Sequence, residues 1–316
     1  MILELSCPSK TFLLGEYLVL NNGPALLINT EPRFVTRVAV KGKGTVQGLH
    51  PDSPAGQWVR QNRMFFESVD FEFRDVHLGR GGFGASSAQF LMAYVATSWL
   101  KNQSSKDSYP IEQIWRAYRQ IEAISSEGLR PSGADIVAQY HGGFCEFATE
   151  PFQARSYQWP LQEYDVVLAH TGTKMSTHEH LRGLKRVHTE ELEWTYARAM
   201  ETLASRDAQG FFDSVNDYHA ELLELGLVCE STQVSVATLL RQPFVRAAKG
   251  CGAMGSDVIA VFVAKEVRPL LDAFLVELGL KYVSDSNNMS RGLLVEIVED
   301  ESVKDEVKTQ AKEEWT

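Results

Sequence analysis

Arg80-Gly81-Gly82-Phe83-Gly84-Ala85-Ser86-Ser87-Ala88 is the stretch on which the reading of this chain turns. Its glycines let the backbone bend sharply and come close to an anion. From Ala85 to Leu100 the pattern becomes helical, with Phe90, Leu91, Tyr94, Val95 and Trp99 on one side. A glycine loop that opens a helix offers unpaired N–H groups and the positive end of the helix dipole. Ser86 and Ser87 add hydroxyls able to ligate Mg²⁺ or a phosphate oxygen. The spacing is neither that of a Walker loop nor that of a dinucleotide-binding GxGxxG. The same residues also suit a tight turn with serine caps, and the stretch alone leaves both readings open.

Outward from this loop lie three further segments. Lys249-Gly250-Cys251-Gly252-Ala253-Met254-Gly255-Ser256-Asp257 is a second glycine-rich loop, placed before the apolar run Val258–Val263. Alone it reads equally as an ordinary loop ahead of a strand. Each glycine loop carries a cation, Arg80 or Lys249, in a chain whose net charge is −10. Near the start, Pro8-Ser9-Lys10 precedes Gly15-Glu16-Tyr17, and further on Pro131-Ser132-Gly133-Ala134-Asp135 puts a carboxylate just after a turn. A lone lysine suits a solvated surface and a lone aspartate a helix cap. Brought together, Lys10 and Asp135 form a pair suited to phosphoryl transfer, the carboxylate taking the acceptor's proton and the ammonium steadying charge.

The remaining pattern is mixed. Thr11–Leu14, Tyr17–Leu20, Ala25–Ile28 and Phe34–Val40 read as strands of β-hairpins, and His50–Gly56 as a Pro/Gly-rich loop. Helices are expected over Ile111–Ser125, from Thr177 to about Glu201, over Phe211–Leu225 and over Arg268–Leu278. Strands are expected at Phe144–Phe147, Asp165–His170, Val258–Val263, Lys281–Ser284 and Gly292–Val298. A division near residue 170 gives expected domains 1–170 and 171–316.

The acidic balance speaks against a nucleic-acid backbone as partner. The four cysteines are scattered without a CxxC pair, which argues against a disulfide framework or zinc site and for a reducing compartment. No secretory signal or membrane-length apolar run is apparent, so the expected location is the cytoplasm. His178 and His180 stand two apart, which would point them away from each other on a helix, and this leaves a capped helix start rather than a metal pair.

Pro8–Leu20, Gly81–Ala88 and Lys249–Phe262 resemble, in order and spacing, the three signature segments of the GHMP kinases. That family takes its name from galactokinase, homoserine kinase, mevalonate kinase and phosphomevalonate kinase. Pro131–Asp135 is similar to its catalytic-aspartate segment, so the resemblance runs over nearly the whole chain. It implies an α+β fold in two halves, the first like ribosomal S5 domain 2 and the second ferredoxin-like, with ATP, Mg²⁺ and substrate in the cleft between.

Carried over by position, the resemblance puts Gly81, Gly82, Phe83, Gly84, Ala85, Ser86 and Ser87 around the ATP phosphates. The metal falls to Ser86, with Ser87 kept open. Asp135 becomes the catalytic base and Lys10 lies near the phosphates or substrate hydroxyl. Glu16, Lys174, Gly252, Ala253 and Gly255 fall on the substrate side. A metal-binding glutamate of mevalonate kinases aligns without gaps at Ile124, so Glu122 after a small shift is the candidate and Glu127 the second. Gly15-Glu16-Tyr17 and Asp257 lean toward phosphomevalonate as acceptor, whereas Pro131–Asp135 and the compact length lean toward mevalonate. Arg130, Lys174, Arg182 and Lys185 are the cations available for a phosphorylated substrate. The implied partner is a small molecule, other family substrates such as sugars are less favoured, and the chain is expected as monomer or homodimer. A catalytically silent, metabolite-binding regulator is the alternative from another class.

Overall fold

A computed structural model describes residues 1–102, 109–125, 131–172, 189–255 and 258–298. In chain order the elements are β1 (Ile2–Leu14), β2 (Pro24–Val40), β3 (Val46–Gln47), α1 (Pro54–Gln61), β4 (Val69–Arg74), α2 (Ala85–Asn102), α3 (Ile111–Ser125), α4 (Ala134–His141), β5 (Phe144–Ala148), β6 (Gln153–Tyr157) and β7 (Tyr164–His170). There follow α5 (Glu190–Ala204), α6 (Ala208–Glu224), α7 (Glu230–Leu240), β8 (Val245–Cys251), β9 (Val258–Ala264), α8 (Arg268–Glu277), β10 (Lys281–Asp285) and β11 (Leu294–Val298).

Two sheets organise these elements. The first is seven-stranded along the path β11-β1-β2-β4-β3, with β5 pairing β2 and β6 pairing β5. The second is four-stranded in the order β10-β7-β9-β8. Its pairs are all antiparallel. Helices α5–α7 connect β7 to β8, and α8 connects β9 to β10. Numbered within that unit, the strands lie 4-1-3-2, the βαββαβ arrangement of a ferredoxin-like fold. The expected α+β class with a ferredoxin-like second half therefore stands.

Three local expectations change. Tyr17–Leu20 is not a strand: Gly15 takes φ +87, and the chain turns into a 3₁₀ segment, Leu18–Asn21. His50–Gly56 is only partly loop, because Ser53 caps α1 by accepting the Gly56 N–H while Pro54 occupies the first turn, a start signal present in the sequence. Ala25–Ile28 and Phe34–Val40 belong to one 17-residue strand.

The last strand returns to the first sheet, pairing Ile2–Ser6 with Leu294–Val298. β7 pairs with β9 and β10, so a division at residue 170 would part β7 from its own sheet. Trp159 lies between the sheets, its ring 5.2 Å from Phe144 of β5 and 6.2 Å from Phe262 of β9. The apolar core is continuous across both sheets. All four cysteines are free. Among the described residues no helix is long and apolar enough to cross a membrane.

Candidate active site

The glycine loop leads into α2 and rests on β1. The Lys10 N–H donates to the Phe83 carbonyl at 3.0 Å, so the strand carrying Lys10 is bonded directly to the loop. Gly84, at φ +84, lies so close to Lys10 that an added Cβ would come 2.8 Å from Lys10 Cγ and 2.9 Å from Cε. A side chain is excluded there both by backbone conformation and by the lysine stem. The Lys10 ammonium stands 4.9 Å from the centre of the Phe12 ring.

Gln139 completes this junction. Its amide donates to the carbonyls of Pro8 at 3.0 Å and Gly84 at 3.1 Å, tying α4 to β1 and to the glycine loop. It is fully buried, and only the Oε1 acceptor is left unpaired. Asp135 stands four residues earlier on α4, hence on the same helical face. Its carboxylate is partly exposed and accepts the Ile136 N–H at 3.1 Å. The turn before it is set by α3: Trp115 Nε1 donates to the Ser132 carbonyl at 2.7 Å, and Gly133 at φ +70 packs on the same indole. Strand β1, which carries Lys10, and helix α4, which carries Asp135, thus converge on the glycine loop through the Lys10 N–H and the Gln139 amide.

The two serines divide by exposure. Ser86 is exposed at the opening turn of α2, where backbone N–H groups have no intrahelical acceptor. Ser87 is fully buried and donates to the Gly84 carbonyl at 2.9 Å. Of the two hydroxyls, that of Ser86 is the one open to a ligand. The Phe83 ring is buried. That ring stacks on His77 at 4.1 Å and 16° and lies 5.8 Å from His170.

His77 and His170 went unremarked in the sequence. His77 meets Ser9 Oγ at 2.6 Å, and since that hydroxyl donates to the Pro32 carbonyl, the imidazole Nε2–H is the donor. Burial pulls the His77 pKa down to about 4. His170 is also lowered by burial, with Arg80 and Lys281 adding to the effect. Two imidazoles whose charged form burial disfavours therefore flank the loop's phenylalanine, His77 from the turn after β4 and His170 from the end of β7. The only local signal was their position, three residues before Arg80 and at the end of an apolar strand.

The second glycine loop departs from its expected role in one respect. Lys249 lies within β8 rather than in a loop, is 1% exposed, and forms a short ion pair with Glu16. It also donates to the Gly250 carbonyl at 2.7 Å. The loop does carry the expected cation, but burial and pairing turn Lys249 inward. Glu16, carried over as a substrate-side residue, has Lys249 as its partner, with Oε2 buried and unpaired. Burial raises the Glu16 pKa, against the lowering pull of Lys249. Gly252, at φ +83, is half-buried, and among the described residues nothing lies within 4 Å of where its Cβ would be. Gly255 packs on Gly250 and its carbonyl accepts from Thr232.

Several expected residues lie outside what is described. Lys174, Arg182, Lys185, His178, His180, Arg130, Glu127 and Asp257 fall there entirely, and for Glu122 and Ala253 only the backbone is described.

Comparison with protein-family models finds no match, and no curated protein matches by sequence. Solved structures do match. A Listeria innocua protein designated Lin0012 shares 15% identity at a TM-score of 0.77, over 94% of this chain and 100% of that one. Lactococcus lactis galactokinase, solved with galactose, shares 12% at 0.74 over 93% and 95%. Streptococcus pneumoniae phosphomevalonate kinase, solved with phosphomevalonate and AMPPNP, shares 14% at 0.73 over 90% and 99%. The chain has the GHMP-kinase fold. The GHMP-kinase fold accounts for the ferredoxin-like second sheet, and both partners in these alignments are covered almost end to end.

Proposed function

We propose that this protein is an ATP-dependent small-molecule kinase. The observation that carries the reading is the junction at Gly84, where the glycine loop, the Lys10 strand and the Asp135 helix are bonded to one another. The N–H groups of Gly81–Gly84 and the first turn of α2 suit the phosphates of ATP. The exposed Ser86 hydroxyl is a hard oxygen donor, the kind Mg²⁺ accepts alongside substrate phosphates and water. Glu122 is the proposed second metal residue. When bound, the metal would neutralise charge on the transferring phosphoryl group. Lys10 would steady developing charge, Asp135 would accept the acceptor's proton, and Gly252, Ala253, Gly255, Glu16 and Lys174 would shape the acceptor side.

Phosphomevalonate is the proposed acceptor, on the strength of Gly15-Glu16-Tyr17 and Asp257, with mevalonate the second. The two differ in their need for a base. An alcohol must lose its proton, whereas a phosphate monoester is already mostly dianionic at pH 7, its second pKa being about 6. A coupled ADP-release assay with phosphomevalonate, mevalonate, galactose and homoserine, run on the protein and on Asp135→Asn, tests both points. We expect turnover with phosphomevalonate. With an alcohol acceptor, Asp135→Asn should cost about 10²–10⁴-fold in kcat, and with a phosphate acceptor less. Turnover with mevalonate alone would replace the acceptor. No turnover with any acceptor, with nucleotide binding retained, would favour a silent metabolite-binding regulator.

A further inference from the structure

Gly15-Glu16-Tyr17 follows the strand that carries Lys10, yet its contacts run to the second sheet and the helices on it. The Gly15 N–H donates to the Tyr218 hydroxyl oxygen at 3.1 Å, Glu16 pairs with Lys249, and the Tyr17 hydroxyl oxygen accepts the Met254 N–H at 3.1 Å. Met254 is a conformational outlier, with φ 55 and ψ 18, a left-handed geometry that costs a non-glycine residue on the order of 1 kcal/mol. Such a residue persists where its surroundings over-determine it.

The surroundings here are specific. The Met254 carbonyl accepts the Cys229 N–H at 2.9 Å, and the Gly255 N–H donates to the Gly252 carbonyl at 3.0 Å. Thr232 Oγ1 donates to the Gly255 carbonyl at 2.9 Å. Cys229 and Thr232 hold the loop from the start of α7, within its own half. The Tyr17 contact comes instead from the segment after Lys10. In the same loop Gly252 takes φ +83, with no described residue within 4 Å of where its Cβ would be. Tyr17 is 3% exposed, so little water can take the place of its oxygen.

We infer that Tyr17 is a positioning residue, which through the Met254 N–H holds the Gly252–Gly255 loop in register with Lys10 and so sets the acceptor side of the cleft. The inference rests on the kinase reading above. It separates the roles of the two glycine loops: the first is fixed to β1 independently of Tyr17, so nucleotide binding does not depend on this contact.

Tyr17→Phe tests it, since the ring is kept and the hydroxyl that accepts the Met254 N–H is removed. Steady-state kinetics with ATP and phosphomevalonate, or with mevalonate if that is the acceptor used, are paired with amide hydrogen exchange at Met254. We expect the acceptor KM to rise roughly fivefold, in line with the net worth of one hydrogen bond, with the KM for ATP within about twofold of the parent. Met254 should exchange faster. Faster exchange with an unchanged acceptor KM would overturn the positioning role. Unchanged exchange at Met254 would overturn the contact. A parent protein that turns over no acceptor would sink the kinase reading itself and the role with it, an outcome visible before any substitution is made.

Discussion

Asp135 and Lys10 acquire meaning from Gln139, a residue with no catalytic look to it. Its amide spans two carbonyls from distant segments, which neither a cap nor a solvated side chain would do. Histidines supply a second residue-scale consequence. Burial pulls both His77 and His219 down to about 4, from an ordinary value of 6.5, and Lys249 adds to the effect at His219. The unfolded chain protonates these groups near pH 6.5 and the folded one only near 4. Each therefore contributes stability that is present above pH 6.5 and lost as pH falls toward 4, at most about 3 kcal/mol apiece at pH 4.5. The urea midpoint should drop between pH 7 and 4.5, and the drop should be shallower in His219→Leu. An equal slope in that variant would remove His219 from the account.

At the scale of elements, the glycine loop is a joint between β1, α2 and α4 rather than a free turn. Gly84→Ala would place a Cβ against the Lys10 stem and 3.0 Å from Gln139 Nε2, at a positive φ that alanine resists. We expect a loss of about 1–3 kcal/mol in stability and at least a tenfold loss in ATP·Mg²⁺ affinity, read by thermal melting and nucleotide titration. Full affinity with a normal melt would show that the close approach is dispensable. The loop's glycines and the helix that follows were legible in the sequence, because period and turn chemistry are local. The contact of the Phe83 ring with His77 and His170 was not, since it joins the glycine loop to the turn after β4 and to the end of β7. The Tyr17–Leu20 strand failed for a related reason: an apolar run reads as a strand until a left-handed glycine before it reverses the chain.

On the scale of the whole molecule, the return of β11 to β1 closes the fold. Arg33 binds this return through Ser290 Oγ and the carbonyls of Arg291 and Gly292. The Leu293 N–H donates to the Tyr140 carbonyl in the last turn of α4, two residues before the capping Gly142. An added Cβ at Gly292 would fall 2.0 Å from that same carbonyl, a backbone atom that cannot swing aside. Gly292→Val should therefore lower Tm by more than about 5 °C and loosen the first sheet, seen as faster hydrogen exchange along β1. A parent-like melt would mean that the return strand contributes little.

By itself the sequence determined the glycine loops, the turn before Asp135, most helices and strands, and the resemblance from which an α+β kinase fold was expected. These are properties of neighbours in the chain, where backbone freedom, period and capping act. Tertiary structure decided that Lys249 faces inward to Glu16, 233 residues away, that Ser86 rather than Ser87 stays open, and that Gln139 binds the junction at Gly84. Those outcomes depend on which surfaces are withdrawn from water together. A buried lysine must find a carboxylate and a buried amide its carbonyls, and spacing along the chain carries no record of which ones are near.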